Sequence, residues 1–379
     1  MPITKIGKFI SEHDNWEELL TSDPYNIRIK RDKDLIMLSY SQIDSDFNNP
    51  IVREARGIIF RENNWEFPVC HAMDKFGNYG ESYVPEIDFN NCFVTEKIDG
   101  SLIKVWYDFI DKHWHISTNG TINAFDAKYS DLPDRNFGTL FMNTIKEITG
   151  YETLDEFMQI CTYNRNVTYY FELVSPETRV VIPYDESDIY YLGCRENETN
   201  QEVPFYYCSW KFLTYGIKVP KIYPLNSIEQ IQKAASELPW DNEGYVVCDN
   251  NLNRCKIKSP AYILAHHGRN NNNISKKSLI EIIIKGMDDD FLVYANDYAD
   301  AILNIKKELK DFKDTCSAAI EEVSKLNFST RKELAEYVKK HYESTVGEVI
   351  FYSQKSGVKD FKELTKNWTA SKWKKILET

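Results

Sequence analysis

From the N-terminus to about residue 260, short runs of β-branched and aromatic residues alternate with turn-rich links. "NIRIKRD", "LIMLSYS", "ARGIIF", "CFVTEKI", "SLIKVWYD", "HWHIST", "VTYYFELV", "IYYLGCRE" and "EGYVVCD" have the length and composition of strands. Helical periodicity interrupts them three times. It appears at "DNWEELL", at "FGTLFMNTIKEITG" with Gly150 as its C-cap, and at "SIEQIQKAASEL" with Ser227 as its N-cap. The links are mostly too short for crossover helices, which predicts antiparallel sheets and an α+β fold.

The pattern changes at "HHGRNNNN", where Gly268 and four asparagines predict a linker. Beyond it Phe291, Ala295, Tyr298, Ile302, Ile305, Leu309, Phe312, Cys316 and Ala319 recur at spacings of four and three, one apolar stripe on a long helix. Thr330 and Glu333 have the spacing of a capping box opening the next helix, "RKELAEYVKKHY". The prediction is therefore an α+β domain over 1–265 and an all-helical domain over 266–379.

Composition narrows the class. The chain has 379 residues, 42% of them apolar and 27% charged, with 24 Tyr, 20 Phe and 8 Trp to fill cores. No apolar run reaches the length of a membrane span, and the first residues lack a signal-peptide core, so a cytoplasmic protein (host cytoplasm, if viral) is expected. Eight cysteines without a C-x-x-C pair fit reduced thiols better than disulfides or zinc. His266 and His267 are adjacent, and on a strand would point to opposite faces, a poor pair for one metal.

A net charge of −12 argues against a general nucleic-acid coat. Between Asn250 and Ile280, however, there is no Asp or Glu, while Arg254, Lys256, Lys258, Arg269, Lys276 and Lys277 all occur. That excess fits either a local basic groove or a solvated basic face.

The segment "TEKIDGSLIKVW" (95–106) puts Lys97 among residues that would bury, two positions before an Asp99-Gly100 pair able to form a tight turn. A lysine half in an apolar strand end can lose its preference for the ammonium form and act as a nucleophile. Four other stretches supply partners. "FELVSP" carries Glu172 on a strand, "EGYVV" opens a strand with Glu243, "CKIKS" sets Lys256 and Lys258 on one strand face, and "REARGIIF" brings Arg56 to a strand entrance. One nucleophilic lysine, two carboxylates and paired lysines suit phosphoryl transfer from a nucleotide. Each residue alone also has a plain structural role open to it.

The ordered set "EKIDGS", "FELVSP", "EGYVV", "CKIKS" resembles the nucleotidyltransferase motifs of ATP-dependent ligases and mRNA capping enzymes. It is most similar to the tRNA-repair RNA ligases of T-even phages. "LSYSQ", "DKFGNYGE", "YLGCRENETN" and "KIKSPAYILAHH" extend the likeness over most of the first 265 residues. The resemblance implies ATP and Mg2+ (or Mn2+) as cofactors, a lysyl-AMP on Lys97, transfer of AMP to an RNA 5′-phosphate, and sealing by a 3′-hydroxyl. It implies catalytic roles for Lys97, Lys256 and Lys258. Tyr40, Arg56, Lys75, Glu96, Gly100, Glu172, Glu243 and Val246 would line the ATP site, with Tyr245 and Val247 beside Val246 under the adenine. Glu172 and Glu243 would reach the metal through water. It further implies a monomer acting on RNA ends, such as those of a nicked tRNA, with the helical domain choosing the RNA.

One position departs from the pattern: "ISTNGTIN" has Asn119 where the phage family carries a lysine, and an asparagine there can hydrogen-bond a hydroxyl or a phosphate oxygen but supplies no charge. A DNA ligase or capping enzyme remains an alternative, although the helical pattern after "CKIKS" leaves no room for the usual β-barrel. A non-catalytic RNA-binding relative is the alternative of another class. No phosphate-binding loop of the G-x-x-x-x-G-K-[ST] type occurs. The end "KNWTASKWKK" (Lys366, Trp368, Lys372, Trp373, Lys374, Lys375) predicts either an RNA contact or an amphipathic last helix with Trp368 buried.

Overall fold

A computed structural model of the chain describes residues 2–41, 45–132, 134–162, 164–203, 205–263, 275–284, 288, 298–326, 328–365 and 368–377. The linker "HHGRNNNN", with His266, His267, Gly268 and Arg269, lies outside the described residues, as do Phe291, Ala295 and Lys366. The chain forms two compact units, Met1–Tyr262 and Ile263–Thr379.

Among the described residues of the first unit the strands pair antiparallel with one another, and only isolated bridges, Asn78 to Lys256 and Tyr190 to Lys218, are parallel. β1 (Ile27–Asp32), β2 (Leu35–Tyr40) and β3 (Arg56–Arg61) make one sheet in that order. Its inner face, with Ile27, Ile36, Leu38, Ile58 and Phe60, packs on α1 (Lys5–Glu12) and on Leu20 of α2 (Trp16–Thr21). Thr4 caps α1, and a short α3 (Pro50–Glu54) delivers the chain into β3.

The next strands, β4 (Cys92–Glu96), β5 (Ser101–Asp108) and β6 (His113–Ser117), fall into different sheets. β5 and β6 join β7 (Val167–Val174), β8 (Asp188–Glu196) and β9 (Glu202–Val203) in the order β6-β5-β7-β8-β9. The helices α4 (Phe137–Thr149), α5 (Leu154–Cys161) and α6 (Phe205–Thr214) cover one face of that sheet. Phe141, Phe157 and Phe212 meet Ile103, Val105, Phe171 and Tyr191 there. Thr153 and Glu156 close a full capping box on α5, at the T-x-x-E spacing of "TLDE" in the sequence.

β4 instead pairs with β10 (Ile222–Tyr223), β11 (Gly244–Asp249) and, through β11, with β12 (Arg254–Lys258). α7 (Ile228–Ser236), capped by Ser227 as expected, buries Ile231 and Ala235 against Val94, Tyr245, Val247 and Cys255.

Two expectations need correction here. Asp99-Gly100 is not a hairpin turn, because β4 and β5 belong to different sheets; residues 97–100 carry the chain from one sheet to the next. Tyr245 and Val247 cannot floor an adenine site. Side chains alternate along a strand, and these two are buried against α7, which leaves Val246 on the other face.

The second unit is helical in its described residues. The long helix Ala299–Lys325 buries Ile302, Ile305, Cys316 and Ala319 of the predicted stripe, leaves Leu309 and Phe312 half-buried, and adds Ile320 and Val323, which the stripe did not include. Thr330 accepts the Glu333 amide to open Arg331–His341, but the Glu333 carboxylate returns to the amide of Ser329, not of Thr330. In the last helix, Ala370–Leu377, Trp373 is the buried tryptophan. Trp368 is half-buried against it, and Lys372 lies 4.2 Å over the Trp368 ring. All eight cysteines are free.

Candidate active site

The meeting of the three sheets leaves a cavity of about 310 Å³ in the first unit. Arg56, Lys75, Glu96, Lys97, Gly100, Glu172, Val246 and Lys256 line it, so eight of the positions singled out above are brought to one wall. β4 ends at Glu96 and delivers Lys97 to the cavity edge, where the Lys97 amide donates to the Gly244 carbonyl at 2.8 Å. Pairing of β5 with β7 sets Leu102 opposite Glu172, and pairing of β11 with β12 sets Val246 opposite Lys256.

Close approach is built in at Gly100. A Cβ there would meet the Leu173 carbonyl at 2.5 Å and the Glu172 and Val174 side chains at 3.0 Å. Asp99, inside the K-x-D-G sequence, points away from the chemistry. It is buried, and accepts the amides of Val181 and Ile182 at 2.9 Å each and the Tyr262 hydroxyl at 2.7 Å. It fastens the crossing segment to the loop before β8 and to the end of the unit.

The charged groups form one network. Glu243 holds Lys97 Nζ at 2.7 Å on one oxygen and Lys258 Nζ at 2.8 Å on the other. The Glu243 side chain is 3% exposed, against 22% and 23% for the two lysines. Lys258 also sits 5.1 Å over the Tyr262 ring. Lys75 lies over the rings of Tyr40 (5.6 Å) and Phe47 (5.3 Å), which places Tyr40 behind Lys75, outside the cavity lining. Glu96 is pinned through Oε1 to the Lys221 amide at 2.8 Å.

Crowded cations in a half-dry wall disfavour their own charge. Burial first, then Lys75, Lys258 and Lys97, pull Lys256 down to about 7. Burial and then Arg56 pull Lys75 down to about 8. Burial pushes Glu172 up to about 7 against the opposing pull of Lys97 and Arg56. The Arg56 guanidinium rests 5.6 Å from the Phe76 ring, with Nε and Nη1 buried and without hydrogen-bond partners. Such a wall is short of negative charge and has donors to spare: it is shaped for an anion.

Asn119 lines the same cavity with its Oδ1 buried and unpartnered. Its carbonyl accepts Ser39 Oγ at 2.8 Å, which ties the 118–121 turn to β2. Behind it is Lys104, 0% exposed and hydrogen-bonded to the Gly57 carbonyl. Gly57 has φ +69°, and a Cβ there would fall 2.6 Å from the Asn119 carbonyl and 2.7 Å from Lys104 Nζ. A buried amine thus already stands behind position 119.

Three further findings go beyond or against the sequence reading. Phe93, Thr95, Leu192, Tyr206 and Cys248 also line the cavity. Phe93 and Thr95 could have been found by counting back in twos from Lys97 along the strand. The acid-free stretch is not one basic face: Arg254 turns to Glu202, Lys256 and Lys258 enter the site, and Lys276 pairs with Glu308 in the second unit. Glu243, expected near metal-bound water, has both oxygens engaged by lysines.

The sequence profile of a family described as RNA ligase matches residues 54–262, more than half of the chain. The chain belongs to the RNA ligase family. A relative from Autographa californica nuclear polyhedrosis virus, whose name pairs a polynucleotide kinase with an RNA ligase, is 32% identical over 287 residues, 71% of this chain and 39% of that protein. The chain therefore spans about two fifths of that relative's length. An RNA ligase of Rhodothermus phage RM378 is 26% identical over 357 residues, covering 79% of this chain and 78% of the phage protein. Among solved structures, an archaeal ATP-dependent RNA ligase aligns with 76% of this chain and 73% of its own at 13% identity, with a TM-score of 0.46. The matched span of the RNA ligase family contains every residue of the Lys97–Glu243–Lys258 network. Among the described residues no helix is long and apolar enough to cross a membrane.

Proposed function

We propose that the chain is an ATP-dependent RNA ligase that works through a lysyl-AMP on Lys97. The observation that carries this is the single network in which Lys97 and Lys258 share Glu243 at the edge of a cavity walled by Lys256, Arg56 and Lys75. Family membership supports the same reading.

In the proposed reaction the Lys97 amine attacks the α-phosphorus of ATP, a P–N bond forms, and pyrophosphate leaves. An RNA 5′-phosphate then attacks the same phosphorus, displaces the lysine and carries away AMP in a 5′–5′ pyrophosphate. A 3′-hydroxyl attacks the RNA phosphate, AMP departs, and the strand is sealed. Charge builds on non-bridging and leaving oxygens in each step, so positioned cations supply most of the acceleration. Lys256, Lys258 and Arg56 are the groups placed to do so, with Lys75 further along the wall. Val246, Phe93 and Leu192 offer an apolar seat for a base.

A magnesium or manganese ion fits this wall in one respect. Glu172 is a carboxylate that burial drives toward its neutral form, and it makes no ion pair among the described residues. A hydrated cation would restore its charge and be held through water, with Glu243 joining once a lysine releases it; the ion would neutralise triphosphate oxygens. Asp108, Asp111 and His115 form an acidic group about the β5–β6 turn, outside the cavity lining, and have no part in this.

The proposed substrate is RNA with a 5′-phosphate and a 3′-hydroxyl, a nicked tRNA loop being the finer form, joined by a monomer. The helical unit is proposed to help choose the RNA. The test is incubation with α-labelled ATP or GTP and a divalent cation, beside Lys97→Ala, followed by mass spectrometry and by ring closure of 5′-phosphorylated RNA. An AMP adduct that vanishes in the variant, together with RNA circles, supports the proposal. A GMP adduct, or no adduct from folded protein free of bound AMP, overturns it.

A further inference from the structure

Beside the nucleotide cavity lies a second one that the reaction above leaves unused. It has a volume of about 620 Å³ and shares Lys75, Phe76, Leu252 and Arg254 with the first. Arg53, Arg195, Asp74 and Glu202 add to its wall. Four cationic side chains thus face two carboxylates, an excess of two positive charges.

The pairing inside this wall is uneven. Glu202 is saturated: it accepts the Tyr170 hydroxyl at 2.7 Å and both terminal nitrogens of Arg254. Arg195 is not. Its Nη1 donates to Asn200 Oδ1 at 3.0 Å, its Nη2 reaches Asp74 and Glu202 only at 3.3 Å each, and its Nε is buried without a partner. Arg53 gives its Nη1 to the carbonyls of Phe47 and Asn48, and so keeps its charge uncompensated. Lys75 has aromatic rings beneath it and no ion pair among the described residues. A buried guanidinium nitrogen without an acceptor is costly, and phosphate oxygens are the acceptor that both the charge and the fork geometry of arginine favour.

The position of the cavity narrows which phosphate. An AMP on Lys97 would occupy the first cavity, and whatever enters the second meets it at Lys75 and Arg254. We infer that the second cavity receives the 5′-terminal, phosphate-bearing nucleotide of the RNA strand that accepts AMP. This inference rests on the ligase reading of the first cavity. The same oxygens could come from the pyrophosphate released by ATP, so the experiment has to separate the two sources.

The full chain is assayed step by step. Lysyl-AMP formation from ATP uses no RNA and is the internal reference. Single-turnover transfer of AMP to a 5′-phosphorylated single-stranded oligoribonucleotide reads the cavity, and reversal of lysyl-AMP by inorganic pyrophosphate reads the competing source. Arg195→Lys keeps the charge and loses the planar fork. Gln201, an exposed residue of the same wall, is changed to Glu and to Lys, so the test survives if the buried Arg195 variant fails to fold.

Arg195→Lys and Gln201→Glu are expected to weaken use of RNA by about tenfold, the size of one charge-assisted contact. Gln201→Lys is expected to tighten it and to steepen its salt dependence by about 0.7 in log–log slope, one further phosphate contact on a single strand. Lysyl-AMP formation should stay within about twofold of the parent, against a tenfold step. Unchanged RNA transfer in the Gln201 pair overturns the inference while lysyl-AMP, still formed, leaves the ligase reading standing. Altered pyrophosphate reversal with unchanged RNA transfer also overturns it and assigns the cavity to pyrophosphate. Absence of lysyl-AMP in the parent protein removes both readings.

Discussion

The amine of Lys97 and the carboxylate of Glu243 stand 2.7 Å apart although 146 residues separate them in the chain. The register of β4 on β11 brings them together, since it carries Glu96 to Tyr245 and sets the Lys97 amide on the carbonyl of Gly244, the residue that follows Glu243. Lys258 on the other Glu243 oxygen makes the carboxylate a clamp on two of the four lysines proposed to act on phosphate.

Replacing Glu243 by Gln removes the clamp but keeps its shape. Both lysines then lose their anionic partner, and Lys97 loses the contact that aims it. Adenylylation of Lys97 is expected to slow by about a hundredfold, the cost of a nucleophile misplaced by about an ångström. Unfolding in urea should show a loss of about 2 kcal/mol. Adenylylation at the parent rate would show that the clamp does not orient Lys97.

Gly100 has no room for a methyl group. Gly100→Ala forces the Leu173 carbonyl and the Glu172 side chain apart, and the expected loss is about 1–3 kcal/mol of stability. Because Glu172 is one of the groups displaced, adenylylation should fall as well. A thermal midpoint equal to that of the parent would show the β5–β7 contact to be looser than it is drawn.

Asp99 is predicted to matter for stability more than for chemistry. Asp99→Ala removes the carboxylate that accepts the Val181 and Ile182 amides, at about 2–4 kcal/mol, while Tyr262→Phe removes one hydroxyl at about 1 kcal/mol. Denaturant midpoints measure both. If Tyr262→Phe cost as much as Asp99→Ala, the amide contacts would carry no weight.

The lysines and Glu172 set a pH dependence. In the free protein Lys256 titrates at about 7 and Lys75 at about 8, below their unfolded values, so folding expels protons between about pH 7 and 10 and stability rises with pH there. Glu172 titrates at about 7, above its unfolded value, so stability falls as pH rises from about 4.5 to 7. The site therefore contributes a stability minimum near pH 7, which Lys256→Met with Glu172→Gln should flatten in thermal scans. A polyphosphate restores the lysine charges. At pH 8 nucleotide binding should take up protons, read by calorimetry in buffers of different ionisation enthalpy, and proton release would contradict the arrangement.

Asn119→Lys tests the buried amine behind it. A second ammonium beside Lys104 and Arg56 should lower the thermal midpoint of the free protein, and Lys104→Met in the same chain should recover most of the loss. A single variant as stable as the parent would show that Lys104 leaves space and charge for a neighbour.

The sequence by itself determined the parts that are local. Alternation places Val94, Ile103 and Val105 in cores and sets Lys256 and Lys258 on one face. Gly150 and Ser227 end and begin helices by backbone rules that need no distant partner. The motif order also indicated which side chains share a site, because resemblance carries contact information that periodicity lacks. Only the tertiary structure decided how those side chains are paired. Which sheet β4 joins, why Asp99-Gly100 is a crossing and not a turn, that Tyr245 and Val247 belong to the core, and that Arg254 serves Glu202 all depend on strand register between distant segments. Electrostatic character followed from that packing. An isolated Lys75 or Lys256 is an ordinary amine; burial beside other cations, which no local pattern specifies, is what lowers its hold on a proton and makes the wall receptive to phosphate.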